Sequence, residues 1–250
     1  MNNSITAVIF AKNEGKKIVD SIKNAAILTD QIILVDMGST DDTATIARKN
    51  KVTVYSFPNS KYVELARYFG IKKSSTDWVF IVDADERITD ELSKEIKSSI
   101  HHSPATYYKV PRKNIFGRKK WLSHGGWWPD FQTRLINKRC FIDWPKRIHS
   151  TPAIKGECGY LKSPLEHYFH GDIKNMVDKT IIFEDIESDL LYKAGRDVST
   201  VTFFRKYFAE LFRRLVLKVG FMDGTIGIIE LMYQAFSKTI TYLMLYEKKL

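Results

Sequence analysis

Four short apolar runs in the first third of the chain limit what it can fold into. They are "ITAVIF" (5–10), "QIILVD" (31–36), "VTVYSF" (52–57) and "WVFIVD" (78–83). Each is rich in β-branched or aromatic residues and nearly continuous in hydrophobicity, the pattern of parallel strands buried on both faces. Helix-like segments lie between them. "GKKIVDSIKNAAILT" repeats apolar positions at Ile18, Ile22, Ala25 and Ala26. "STDDTATIARKN" carries a capping signature, with Ser39 or Thr40 as the cap and Asp41 and Asp42 in the first turn. "YVELARYFGIKKSS" is the third. The alternation predicts an α/β fold with right-handed crossovers and a doubly wound, mainly parallel sheet flanked by helices.

Ligands of such sheets bind beyond the carboxyl ends of the strands. Here those ends are polar and acidic: "AKNE" (Ala11–Glu14), "DMGSTDD" (Asp36–Asp42) and "DADE" (Asp83–Glu86). The expectation is that they face a common crevice. Two carboxylates flanking one residue, as in Asp83-Ala84-Asp85, can grip a hard divalent cation directly or through water. The plainer alternative is a helix cap with acidic first-turn residues, since "DERITDELSKEI" follows. Asp36 can accept from a ribose hydroxyl or a base NH, or close a capped turn. No GxGxxG or GxxxxGK[ST] follows the first run, so a Rossmann or Walker cradle is excluded. A cation held by Asp83 and Asp85 would be the substitute.

Composition narrows the class further. The 250 residues suit one large domain or a domain with an appendage, and 44% hydrophobic residues allow a packed core. Cys140 and Cys158 form no CxxC, which reads as a reduced, cytosolic chain. The start, "MNNSITAVIFAKNEG", reads as a first strand rather than a signal peptide. A net charge of +10 admits nucleic acid, phosphate-bearing small molecules or an anionic membrane surface. With no RNP, zinc-finger or basic-zipper pattern, nucleic acid is set aside in favour of phosphates and membrane.

"FAKNEGKKI", "LVDMGSTDDT" and "FIVDADERI" together resemble the nucleotide-sugar half of inverting family 2 glycosyltransferases, which have the GT-A fold, a Rossmann-like mixed sheet. The resemblance covers the first half of the chain. It implies a UDP-sugar donor held by Ala11, Asn13, Glu14, Asp36, Arg67 and the Asp83-Ala84-Asp85 stretch. It also implies Mg²⁺ or Mn²⁺ on the diphosphate at Asp83 and Asp85. Tyr68 departs from the small polar residue of the family pattern. In the second half, "GGWWPDFQTRLINK" and the tail from Val219 resemble bacterial lipopolysaccharide-core glucosyltransferases. That likeness implies glucose as the sugar and a lipid-linked or lipopolysaccharide-core glycan as acceptor. In the wider family an acid a few residues before Arg-Leu is the catalytic base, and Asp130 before Arg134-Leu135 fits. The subgroup often has His-Glu where this chain has His149-Ser150.

Inverting transfer is a direct displacement with oxocarbenium character. The acceptor hydroxyl needs a base, and the leaving diphosphate needs its growing charge neutralised. Asp130 would be the base, or else a turn residue after Pro129. Trp127 and Trp128, with Arg134, would meet the acceptor sugar; aromatic pairs beside Gly-Gly also serve as loop anchors. His167 and His170 in "EHYFH" lack the Glu of a zincin motif. In the family a His near here can approach the diphosphate or metal, making His167 a candidate ligand; a merely packed histidine is the alternative.

The expected division is a catalytic domain over 1–172, with a nucleotide-sugar half (1–103) and an acceptor half (104–172), followed by a helical C-terminal extension (173–250). In "FFRKYFAELFRRLVLKVGF" Phe204, Phe208, Leu211, Phe212, Leu215 and Val219 recur at helical spacing among Arg205, Lys206, Arg213, Arg214 and Lys218. Such a stripe can lie in a membrane interface or pack on the catalytic domain. Thr225–Tyr246 is interrupted by Glu230, Gln234, Ser237 and Lys238, which argues against a membrane span. The reading is a cytoplasmic enzyme, peripheral on the inner face of the membrane. Two rivals stand beside it. A sugar nucleotidyltransferase would show a Gly-rich, basic loop after the first strand, unlike "AKNEGKK". A non-catalytic membrane-associated scaffold would have no need for an intact DxD.

Overall fold

The computed structural model describes residues 4–60, 62–117, 119–146, 150–169 and 173–250. His149 and His170 therefore lie outside the described residues. Contacts divide the chain into two compact units, Met1–Arg112 with Phe131–His167, and Lys113–Asp130 with Tyr168–Leu250.

The first unit is built on β1 (Ile5–Ala11), α1 (Ile18–Ala25), β2 (Ile32–Asp36), α2 (Thr43–Lys49), β3 (Thr53–Ser56), α3 (Glu64–Lys73) and β4 (Trp78–Asp83). The four strands are the four apolar runs, and they pair in parallel in the order β3-β2-β1-β4. All seven residues of β1 are buried, as a strand flanked on both edges and covered on both faces requires. Beyond β4 come β5 (Glu86–Ile88), α4 (Asp90–His102) and β6 (Tyr107–Phe116), the last running on into the second unit. After β7 (Lys120–Trp121), β8 (Asp130–Asn137) returns antiparallel to β4, with Leu135 opposite Phe80. The sheet then continues through β6 and β12 (Leu165–His167) to β5. Three short strands complete the unit: β9 (Phe141–Asp143) pairs β10 (Ala153–Ile154), and β11 (Cys158–Tyr160) lies parallel to β6. The result is a mixed, mainly parallel sheet flanked by helices, as expected.

Side chains alternate across β1, so each face has its own core. Ile9 joins Ile18, Ile22, Leu34, Phe80, Leu92 and Ile96 on one face. Val8 and Phe10 join Val35, Ile71, Ile81, Ile136 and Trp144 on the other. Each such side chain contributes about 1.5–3 kcal/mol when buried. One capping expectation is corrected and one capping alternative set aside. Helix α2 starts at Thr43, and neither Ser39 nor Thr40 caps it. Ser39 Oγ instead accepts from Asn13 N, and Thr40 N donates to Asn13 Oδ1. These bonds tie the loops after β1 and β2 together. Nor do Asp83 and Asp85 cap α4. Thr89 does so, its side chain accepting from Leu92 N, because β5 intervenes.

The second unit holds the end of β6, β7, the loop to Asp130 and the helices α5 (Ile173–Lys193), α6 (Thr200–Phe212) and α7 (Gly224–Glu247). A π-helical stretch, Arg213–Leu217, and a 3₁₀ turn, Gly220–Asp223, join α6 to α7. Helix α7 packs on both α5 and α6. Glu184 accepts from Ser237 and Thr241, and Lys248 bridges Asp185 and Asp189 at 2.7 and 2.6 Å. The tail is helical, as its pattern predicted. Residues 113–130, expected with an acceptor half, cluster with these helices because side chains and carbonyls of 214–223 hold them.

Candidate active site

Register gathers the polar strand ends in the first unit. Ala11 stands opposite Asp36 across β1 and β2, and Phe10 opposite Asp83 across β1 and β4. Asp36 is buried and accepts from Ser39 N at 3.2 Å, so it closes its own turn. Glu14 pairs with Lys17 at 3.1 Å, while its backbone N donates to Thr43 Oγ1. Asn13 has a left-handed backbone, φ 55, and bridges to the loop after β2. Ala84 is buried, and its carbonyl accepts from Ser21 Oγ and Arg87 Nη1 at 2.9 Å each.

The opening acids of "DADE" turn out to be anchored by cations from distant parts of the chain. Arg67 Nη2 donates to both oxygens of Asp83, at 2.8 and 2.9 Å. Arg134 Nη2 donates to Asp83 Oδ2 at 2.8 Å and also to Glu86 Oε1. Glu86 Oε2 accepts from Asp83 N at 3.0 Å, and Arg112 Nη1 lies 3.7 Å from Glu86 Oε1. Both arginines are only 4% exposed. Arg67 lies beside the rings of Phe10 and Trp144, its guanidinium 4.8 and 5.5 Å from their centroids. It gets there because α3 rides close on β1: a Cβ on Gly70 would stand 2.6 Å from Phe10 Cζ. Burial pushes the Asp83 carboxyl up, but Arg67 and Arg134 together outweigh it and hold it at about 2. Burial likewise pushes Arg134 down, and Glu86 and Asp83 reverse that.

Asp85 has a partner of its own. Strand β12 pairs antiparallel with β5, setting His167 opposite Glu86. His167 Nε2 thereby lies 3.6 Å from Asp85 Oδ2. Among the described residues no group of three or more His, Cys, Asp or Glu could hold a metal ion. The chain thus brings a carboxylate and an imidazole together here.

The other predicted residues belong to the second unit. Asp130, the first residue of β8, accepts from Asn114 Nδ2 at 3.1 Å. Trp127 stacks at a tilt on Phe169, centroids 4.9 Å apart, and beside the Arg214 guanidinium. Trp128 meets Trp121 edge-on at 5.5 Å. The sequence placed Arg134 with the acceptor; its guanidinium instead lies on Asp83 and Glu86. Sequence reasoning missed Glu86 as the second anchor, Arg112 beside it, and Asn114. Glu86 was visible as the last acid of "DADE"; nothing in the local pattern marked the other two.

The family model described as Glycosyl transferase family 2 matches residues 6–169. The chain belongs to glycosyltransferase family 2, and the match ends before α5. It is 27% identical over 266 residues to a glycosyltransferase of Rickettsia conorii, covering all of this chain and 94% of that one. Among solved structures, mannosyl-3-phosphoglycerate synthase from Rubrobacter xylanophilus has a TM-score of 0.51 at 16% identity, covering 79% of this chain and 76% of that one. Glucosyl-3-phosphoglycerate synthase from Mycobacterium tuberculosis, solved with Mn²⁺, UDP and glucosyl-3-phosphoglycerate, also scores 0.51, at 15% identity over 79% and 82% of the two chains. These likenesses are of fold: the GT-A architecture.

Proposed function

We propose that this chain transfers glucose from UDP-glucose, with inversion, to a hydroxyl of a lipid-linked or lipopolysaccharide-core glycan. The observation that carries the reading is the buried Arg67–Asp83–Arg134–Glu86 cluster at the carboxyl end of β4, with Asp85 paired to His167 of the neighbouring strand. In a doubly wound sheet this is where a ligand binds. The cluster costs desolvation energy that a scaffold would have no reason to bear. Asp83 spends both oxygens on arginines, which leaves Asp85 and His167 as the protein ligands of Mg²⁺ or Mn²⁺. One carboxylate completed by substrate phosphates is how Mg²⁺ is usually bound, and imidazole suits Mn²⁺. When bound, the cation neutralises charge on the departing UDP.

The chain's own groups do the rest. Ala11, Asn13, Glu14 and Asp36 line the nucleotide at the ends of β1 and β2. Arg67 and Arg134 keep the Asp83 carboxylate fixed and ionised, so the turn carrying Asp85 does not shift as the ligand arrives. Asp130 takes the proton of the attacking hydroxyl, and Trp127 and Trp128 present aromatic surface to the acceptor sugar. The exposed apolar and basic face of α6 would hold the enzyme on an anionic membrane surface, the inner face of the cytoplasmic membrane, where such acceptors reside.

A screen of UDP release from UDP-glucose, UDP-galactose, UDP-N-acetylglucosamine and GDP-mannose, with Mn²⁺ and with a chelator, tests this. UDP-glucose should be turned over, and the chelator should stop it. Asp130→Asn should bind UDP as the parent does and lose roughly 10²–10⁴-fold in turnover. Turnover of GDP-mannose alone, or full activity in chelator, would overturn the donor or the metal assignment.

A further inference from the structure

We infer that the C-terminal helices hold the Ser123–Trp127 loop, with Asp223 and Arg214 as its positioning residues; the catalytic meaning rests on the proposed transfer reaction. The loop reads "SHGGW" and leads through Trp128 and Pro129 to Asp130. The Asp223 carboxylate, 4% exposed, meets three groups of the loop. Ser123 Oγ donates to Oδ1 at 3.0 Å, His124 N donates to Oδ2 at 2.8 Å, and His124 Nδ1 lies 2.9 Å from Oδ1. Burial pushes this carboxyl up, yet the bonds from His124 and Ser123 outweigh it and bring it below the ordinary carboxylate range. A buried carboxylate is retained at that cost only where its acceptors are filled.

The next residue is held at both ends. Gly125 N donates to Lys218 O at 2.8 Å, and Gly125 O accepts from Arg214 Nη1 at 2.9 Å. Arg214 is in turn fixed by Glu210, whose Oε1 accepts from its Nε at 2.7 Å. The same guanidinium lies 5.3 Å from the centre of the Trp127 ring. The backbones also touch: a Cβ on Gly220 would stand 3.1 Å from Gly125 Cα. Trp127 O then accepts from Asn114 Nδ2, the atom that also donates to Asp130. A chain of bonds thus runs from the turn before α7, through the loop, to the carboxylate assigned as base. Helix-to-helix packing alone would need none of the contacts that Asp223, Lys218 and Arg214 make to Ser123, His124 and Gly125, since each of these has one partner in the loop.

Hydrogen exchange and UDP-glucose hydrolysis, measured together, test this on the full chain. Asp223→Asn should speed amide exchange across 122–128 at least tenfold, with α5–α7 and β1 unchanged. UDP release from UDP-glucose should slow about tenfold or more while UDP affinity holds, a loss in turnover rather than binding. Should Asp223→Asn disturb the helices themselves, Ser123→Ala with His124→Phe removes the two side-chain bonds from the loop side, leaving only the His124 N bond, and should shift exchange and turnover in the same direction. Loop exchange unchanged in both variants overturns the inference. Looser exchange with parental UDP release overturns the positioning role. If the parent releases no UDP, the proposed reaction fails, and the exchange data still decide whether these residues hold the loop.

Discussion

Arg134 carries more of the site than any other side chain. It bonds two carboxylates, is almost wholly buried, and sits four residues along the chain from Asp130. Removing one member of a buried ion cluster strands the charge it neutralised, which typically costs about 3–5 kcal/mol. Among the described residues, Glu86, fully buried, would keep Asp83 N and the more distant Arg112. Arg134→Met should therefore lower unfolding stability by about 3 kcal/mol or more, read as a shift of the urea midpoint. Adding Glu86→Gln should recover part of that loss, because the stranded charge is gone. If Arg134→Met unfolds at the parental midpoint, the cluster is not a unit. This network was half legible in the sequence. The acids stood together in "DADE", and Arg67 was suggested by likeness. That a residue 51 positions after Asp83 supplies the second cation depends on the β4–β8 pairing, which no local pattern encodes.

Strands were the most readable elements, and the reason is physical. A strand buried on both faces must be apolar at nearly every position, so β1, β2, β3 and β4 announced themselves within a residue or so of their ends. Caps were read wrongly because Ser, Thr and Asp bond loops as readily as helix ends. Ser39 and Thr40 serve Asn13, and β5 was too short to be seen. Helix α7 hides a different feature. Glu230 is fully buried, its Oε2 3.5 Å from Gln234 Nε2 and its Oε1 with no hydrogen-bond partner among the described residues. Burial raises its carboxyl to about 7; Gln234 and Arg214 only moderate the effect. Unfolded, the group titrates near 4.5. Between those values the folded state binds more protons, so this contribution is whole below about 4.5 and is lost as pH rises through about 7. The interval from 4.5 to about 7 corresponds to about 3 kcal/mol. Glu230→Gln mimics the protonated form. It should be more stable than the parent at pH 8 and converge with it near pH 5, in paired thermal melts. A variant less stable than the parent at pH 8 would mean that the ionised carboxylate is the form α7 is built around.

On the scale of the whole molecule, a net charge of +10 and a bare apolar helix point the same way. Helix α6 buries none of its residues, and Phe204 and Phe208 are 61% and 57% exposed. Val201, Phe212, Leu217, Phe221 and Met222 extend the exposed apolar set across the linking turns. Arg205, Lys206, Arg213 and Lys218 accompany them. No helix among the described residues is long and apolar enough to cross a bilayer. An exposed apolar set of this size in a basic stretch of chain suits the interface of an anionic membrane. Cations near such a surface contribute about 1 kcal/mol each, screened within about 10 Å at 0.1 M salt. Phosphatidylglycerol vesicles should therefore float with the protein at low salt, and phosphatidylcholine vesicles should carry much less. Raising salt to about 0.5 M should weaken the binding without abolishing it, since the aromatic contribution is not screened. Phe204→Ser with Phe208→Ser should remove that salt-resistant remainder and leave UDP affinity untouched. Equal flotation on both lipids would make the basic residues irrelevant. No flotation at low salt would leave α6 without a membrane role, and the acceptor would then have to be sought among water-soluble glycans.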